Sequence, residues 1–170
     1  MLIDFLEENF GAARIRGIVY GNEAMKMNTL TSGNFSTFNH WFDNVIDENV
    51  VLCYTSALEA LGMFNGSIDE SDIDVYALEM GKYDNINYHI ISDFNDVEVQ
   101  QIGKVRCTTF NQTINDMLRD IYIDRTALTE ALANYYYSHE SSFDGLIVDK
   151  DNEMNFEEIR EDAISYYDEG

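Results

Sequence analysis

The chain has 170 residues, 45% hydrophobic and 13% aromatic, which is enough apolar material for a packed core and excludes global disorder. Its 32 acids against 10 bases leave a formal charge of −22, which argues against roles that neutralise phosphates: nucleic-acid binding and docking on anionic membranes. Proline is absent, no apolar run approaches the roughly 18 residues of a membrane span, and Met1-Leu2-Ile3-Asp4 does not read as a signal peptide. Two cysteines, Cys53 and Cys107, are too few for a disulfide scaffold or a zinc site, so the expected setting is reduced and cytoplasmic.

Residues 2–9 read as a short helix with Leu2, Phe5 and Leu6 on one side, and Gly11, Gly17 and Gly21 interrupt the stretch after it. Two more helices are expected over 22–31 and 35–46, the second with Phe35, Phe38, Phe42, Val45 and Ile46 at helical spacing. Residues 1–46 thus form a small helical unit, and 47–170 a second unit. Val50–Tyr54 is a short apolar run, and Ser56-x-x-Glu59 is a capping-box pattern that predicts a helix over 57–64, ended with the help of Gly62 and Gly66. Alternation of Ile73, Val75 and Ala77 with Asp74 and Tyr76 predicts a strand over 73–79, and Tyr88–Ile91 a further strand. Val97–Ile102 and Val105–Thr108, split by Gly103, predict a hairpin.

The period then changes. Thr109-x-x-Gln112 fits a second capping box, followed by Phe110, Ile114, Met117 and Leu118 at helical spacing. Asp124 is placed to cap a helix whose inner face is Ala127, Leu128, Ala131, Leu132 and Tyr135. Leu146-Ile147-Val148 is short and apolar. Asn155-x-x-Glu158 is predicted to open a last helix with Phe156, Ile159, Ala163, Ile164 and Tyr167 inward. Strands in the middle and helices after them give an α+β fold.

Charge is unevenly spread. Acids and bases number 7 and 3 in residues 1–50, 10 and 1 in 51–100, 5 and 4 in 101–140, and 10 and 2 in 141–170. The two acidic blocks supply a candidate partner-binding face: Asp69, Glu70, Asp72, Asp74 and Glu79 from the first, and Glu157, Glu158, Glu161 and Asp162 from the second. On a helix the last four share a side opposite Ile159 and Ala163. The alternative role of such a surface is solubility.

Several strings suggest other chemistry. Asp72-x-Asp74 on a strand aims two carboxylates at one face, the device with which nucleotidyltransferases share Mg²⁺. Those enzymes also carry an earlier Gly-Ser pair. Only four residues separate Gly66-Ser67 from Asp72, and Lys82 is the sole base in 51–100 to hold a triphosphate. Asp149-x-Asp151-x-Glu153 opens like a calcium loop but has Met154 where glycine belongs and Arg160 at the twelfth position. His40, His89 and His139 follow no ligand spacing, and both cysteines sit in apolar, buried contexts. No catalytic residue, metal ligand or cofactor is therefore assigned. Tyr135-Tyr136-Tyr137 and Tyr166-Tyr167 are either an aromatic contact patch or helix-end packing.

Two stretches resemble the antitoxin of AbiE-type toxin–antitoxin systems. Tyr54-Thr55-Ser56-Ala57-Leu58-Glu59-Ala60-Leu61-Gly62-Met63 is similar to a helix of that family, followed by the strand at 73–79. Val105–Leu118 resembles the family's strand and following helix start, with Thr113, Ile114 and Asp116 placed as its helix residues, and Leu128–Leu132 continues the likeness. The match spans roughly 50–137 and implies an antitoxin-like domain over 47–170. The family usually begins with a basic winged-helix DNA-binding domain. Residues 1–46 have the length of a degenerate, winged-helix-like remnant packed on that domain, but their acidity leads us to expect no direct nucleic-acid binding. The expected function is a non-enzymatic inhibitor or regulator of a defence or mobile-element system, bound to a cognate toxin or to a basic nucleic-acid-handling protein. The alternatives are a phage- or plasmid-encoded nucleic-acid mimic of the anti-CRISPR or anti-restriction kind, and a metal-dependent nucleotidyltransferase-like enzyme.

Overall fold

A computed structural model describes residues 49–65, 73–81, 86–102 and 105–168. The helical unit expected over 1–46, the Gly66-Ser67 pair, and Asp69, Glu70 and Asp72 lie outside the described residues. Within them the fold is α+β. The elements run β1 (Val50–Leu52), α1 (Tyr54–Ala60), β2 (Ile73–Ala77), β3 (Ile86–Ile90), β4 (Val99–Ile102), β5 (Val105–Thr108), α2 (Phe110–Leu118), α3 (Arg125–Ser138) and α4 (Glu153–Ser165). No helix among the described residues is long and apolar enough to cross a membrane.

The five strands form one mixed sheet in the order β3-β2-β1-β5-β4. β1 pairs antiparallel with β2 and parallel with β5, β2 pairs parallel with β3, and β4–β5 is the antiparallel hairpin expected from the sequence. Period-two alternation sets the faces. Ile73, Val75 and Ala77 are buried on one face of β2, as are Leu52 beside Val75 and Cys107 beside Leu52. Tyr76 and Asp74 point to the other face, where Val51 stands opposite Tyr76. On this face Val51, Cys53 and Tyr76 form a small core under Phe94, Val97 and Val99. The larger core lies among the helices, with Leu58, Ile114, Leu118, Leu128, Leu132 and Ile159 fully buried.

Two predicted helix starts are found as read. Thr109 Oγ1 accepts the Gln112 N–H at 3.3 Å, and Asp124 Oδ1 accepts the Ala127 N–H at 3.0 Å, each contact stabilising by about 1 kcal/mol. Two others are not. Helix α1 begins at Tyr54, so Ser56 is inside it, and Ser56 Oγ instead accepts the Asp74 N–H from β2 at 2.9 Å. Helix α4 begins at Glu153 after a 3-10 turn over Lys150–Asn152. Asn155 Nδ2 donates to the Leu118 carbonyl at 2.7 Å and ties α4 to the end of α2. In both cases a polar side chain that could cap its own helix meets an unpaired backbone group of another element.

The end of α1 is closed by backbone alone. Met63 N–H reaches Leu58 O at 2.9 Å and Gly62 N–H reaches Glu59 O at 3.1 Å, with Gly62 at φ +72° as this motif requires. Leu146–Val148 forms no strand: Leu146 and Val148 pack on the helical core and Ile147 is exposed. This stretch is held by Asn115, a buried residue of α2. Asn115 Nδ2 donates to the carbonyls of Asn111 (2.8 Å) and Ile147 (2.7 Å). Its Oδ1 accepts from Asp149 N–H (2.7 Å) and Asn152 Nδ2 (3.0 Å).

Candidate functional site

Strand register assembles a polar cleft from residues that the sequence keeps apart. Parallel pairing of β2 with β3 sets Asn87 beside Asp74 and His89 beside Tyr76. Asp74 Oδ1 meets His89 Nε2 at 2.8 Å and Asn87 Nδ2 at 3.5 Å, and Asp74 Oδ2 lies 3.4 Å from the Thr55 hydroxyl. The Asp74 backbone is also fixed, since its carbonyl accepts the Cys53 N–H at 3.1 Å. Asp74 is thus a half-buried, clamped carboxylate on an inner strand, unlike the open acids of α4. Residue pairing across β2 and β3 leaves its carboxylate partly exposed, on the lining of a cleft.

Behind this pair lies a buried polar group from α2. Asp116 Oδ2 accepts from the Tyr76 hydroxyl at 2.9 Å, and its Oδ1 accepts from Gln112 Nε2 (2.9 Å) and Arg119 (3.0 Å). Burial raises the Asp116 carboxyl above its ordinary range, opposed by the hydrogen bonds from Tyr76 and Gln112 and by the Arg119 charge. Burial likewise raises the Tyr76 phenol well above its usual value, helped by the Tyr54 contact and the Asp116 charge. The Cys53 thiol is raised by burial and by Asp74 and Asp116, and burial pushes Cys107 up to about 11. Neither cysteine is a poised nucleophile.

Tyr54 supplies the aromatic wall. It holds φ +49° at the first residue of α1, a left-handed value rare for a bulky side chain. Its ring centroid lies 4.7 Å from that of His89 and 5.8 Å from that of Tyr76. Tyr54, Asp74 and His89 line, with Asp120, Ile123 and Asp124 of the α2–α3 turn, a cleft of about 320 Å³. Among the described residues, no group of three His, Cys, Asp or Glu side chains is close enough together to hold a metal ion.

The other predicted site residues lie elsewhere. Glu79, just past β2, is exposed and borders a separate hollow of about 500 Å³ with Asn49, Met80 and Tyr88. Glu157, Glu158, Glu161 and Asp162 are all exposed on one side of α4, opposite buried Ile159 and Ala163. Arg125 of α3 bridges two of them, Glu158 at 3.0 Å and Asp162 at 2.8 Å, and the Tyr122 hydroxyl donates to Glu158 at 3.0 Å. Glu157 has only a loose 3.7 Å contact with Arg160.

Comparison with protein-family models, curated proteins and solved structures gives no match for this chain. The site is therefore read from its own geometry. Sequence reasoning missed His89, Tyr54 and Arg125 as site residues. His89 carries a signal in hindsight, because it alternates with Asn87 on a strand whose neighbour alternates Asp74 with Tyr76. Of the tyrosine run, Tyr135 is core: it stacks between Phe110 (5.2 Å) and His139 (3.9 Å) and donates to Asp144 O at 2.9 Å. Tyr137 donates to the Ile164 carbonyl at 2.6 Å, so this end of the patch joins α3 to α4.

Proposed function

We propose that the protein is a non-enzymatic, antitoxin-like inhibitor of a defence or mobile-element system that works in the cytoplasm by binding a basic protein partner. The observation that carries this reading is the outer side of α4. Glu157 and Glu161 form one row and Glu158 and Asp162 a second, each with a rise of about 6 Å along the helix axis. Arg125 holds the second row in place, while the first stands open to solvent. Such a face on a chain of charge −22 steers a basic surface towards it and makes association salt-dependent. A partner groove that normally holds phosphates offers the complementary Lys and Arg side chains, and this supports the nucleic-acid-mimic form of inhibition. The antitoxin form is supported by the two stretches that resemble AbiE-type antitoxins. They fall on α1, followed by β2, and on β5–α2, and α1 packs on both α2 and β2.

The test is co-purification of a tagged chain at low salt, identification of the retained protein, and competition by that protein's nucleic acid. Glu157→Lys/Glu161→Lys avoids the Arg125 bridges. We expect it to weaken partner binding by roughly tenfold or more and to flatten its salt dependence, with circular dichroism unchanged. Unaltered binding and salt slope would reduce the acidic face to a solubility device.

Nucleotidyl transfer is the competing enzymatic reading. Asp74, one of its two required carboxylates, is engaged by His89, Asn87 and Thr55. Incubation with Mg²⁺ or Mn²⁺ and labelled nucleotides is expected to transfer nothing to protein or RNA. Transfer that is lost in Asp74→Ala would establish the enzyme instead.

A further inference from the structure

We propose that the cleft between Tyr54, His89 and the α2–α3 turn receives an arginine side chain of the protein partner, while the exposed turn residues Tyr122 and Ile123 dock an apolar residue beside it. This rests on the function proposed for the acidic face and extends the docking surface from α4 to the sheet.

Size comes first. At about 320 Å³ the cleft is at the lower end of ligand pockets, suited to one side chain rather than to a nucleotide. Charge then selects the occupant. Asp120 Oδ1 accepts the Tyr122 N–H at 3.2 Å and Asp124 Oδ1 accepts the Ala127 N–H at 3.0 Å. Each turn carboxylate is therefore fixed by one oxygen, and its second oxygen makes no hydrogen bond among the described residues. Asp74 also lines the cleft, but its carboxylate is shared among His89, Asn87 and Thr55. Asp116 does not contribute in this way, because Tyr76, Gln112 and Arg119 already occupy it. Arg119 is exposed beside it and, among the described residues, is the one strong base bonded to a cleft residue. An anion entering here would meet the carboxylates of Asp120 and Asp124, and a cation is favoured.

Shape distinguishes the two basic side chains. The tilted Tyr54 and His89 rings form an aromatic wall, against which a planar guanidinium stacks better than an ammonium. Lastly, Ile123 of the cleft lining is 77% exposed and its chain neighbour Tyr122 is 74% exposed, two adjacent large side chains open to a partner. The Tyr122 hydroxyl is anchored on Glu158, so the lip of the cleft is continuous with the acidic side of α4. The partner that fits has a basic surface presenting arginine next to an aliphatic residue.

The probes are acetyl-Leu-Arg-amide, its lysine counterpart and its neutral citrulline isostere, titrated into the full chain and followed by NMR at the His89 ring and the Ile123 methyls. The arginine peptide is expected to shift both saturably, the lysine peptide about threefold more weakly, and the citrulline peptide not at all. Asp120→Asn and Ile123→Ser, both at exposed positions, should each weaken the arginine peptide while leaving amide spectra of β1–β3 unchanged. Equal response to arginine and citrulline, or no response at His89, overturns the proposal. The two readings separate cleanly. If Glu157→Lys/Glu161→Lys abolishes partner binding and Ile123→Ser leaves it intact, the acidic face stands and the cleft fails. If the peptide binds the cleft and the α4 reversal is without effect on the partner, the acidic face fails.

Discussion

Asn115→Ala is expected to destabilise the protein by about 2–4 kcal/mol, lowering the melting temperature by roughly 5–15 °C. Asn115 is buried, and its amide satisfies four groups at once: two carbonyls and two donors, from α2 and from the segment leading into α4. Removing it strands the Asp149 N–H and the Ile147 carbonyl. Asn152 Nδ2 keeps its second acceptor, the Asn115 backbone carbonyl at 3.0 Å, so the loss is not total. Thermal melts followed by circular dichroism give the stability change, and amide exchange should quicken first at Ile147 and Asp149. Unchanged melting would mean that water replaces the side chain at little cost and that this network does not hold the segment.

The second large effect concerns pH. Burial raises the folded-state pKa of Asp116 above the ordinary 3.8 of an unfolded aspartate. The folded chain therefore binds this proton more readily than the unfolded chain. The stability that protonation contributes is complete below the ordinary value and is lost as pH rises through the raised one. Wild type should thus gain stability on acidification through the raised value towards 3.8. Asp116→Asn should remove that part of the gain and be close to wild type, or above it, at pH 7.5. Asp116→Ala should instead lose about 1–3 kcal/mol, because the Tyr76 hydroxyl loses its 2.9 Å acceptor and keeps only the 3.4 Å contact with the Tyr54 hydroxyl. Self-repulsion in a chain of charge −22 acts in the same direction, and salt distinguishes the two: it screens the surface and leaves the buried group nearly untouched. A pH profile identical in wild type and Asp116→Asn would show that surface repulsion accounts for all of it.

Much of the fold was legible locally. The alternation at Ile73–Ala77, the hairpin around Gly103, and the caps at Thr109 and Asp124 depend on residues a few positions apart, and each appears in the structure. Ser56 and Asn155 carry the same kind of signal but bond elsewhere. A hydroxyl or amide at a helix start bonds to whichever backbone group is nearest, and here a strand and a neighbouring helix supply it. Leu146–Val148 has the composition of a strand, but Leu146 and Val148 pack on the helical core and the Ile147 backbone is bonded by the Asn111 and Asn115 side chains. The candidate site was less legible still. Asp74 and His89 meet through strand pairing across 15 residues, and Arg125 reaches Glu158 and Asp162 across 33 and 37. Composition marks such carboxylates as a surface charge. Only the fold decides which of them face solvent and which are bridged.

The central strand of the sheet has a consequence for synthesis. Leu52 of β1 pairs with Cys107 of β5, 55 residues later in the chain, so β1 is complete on one side only until β5 has been made. At roughly 5–20 residues per second this leaves an open strand edge for about 3–11 s. Val51 and Leu52, all but fully buried in the finished protein, belong to that edge, which in this interval is a template for pairing with other nascent copies. The same interval exposes residues 51–100, where ten acids face a single base. Like-charge repulsion among these acids opposes such pairing while the sheet is unfinished.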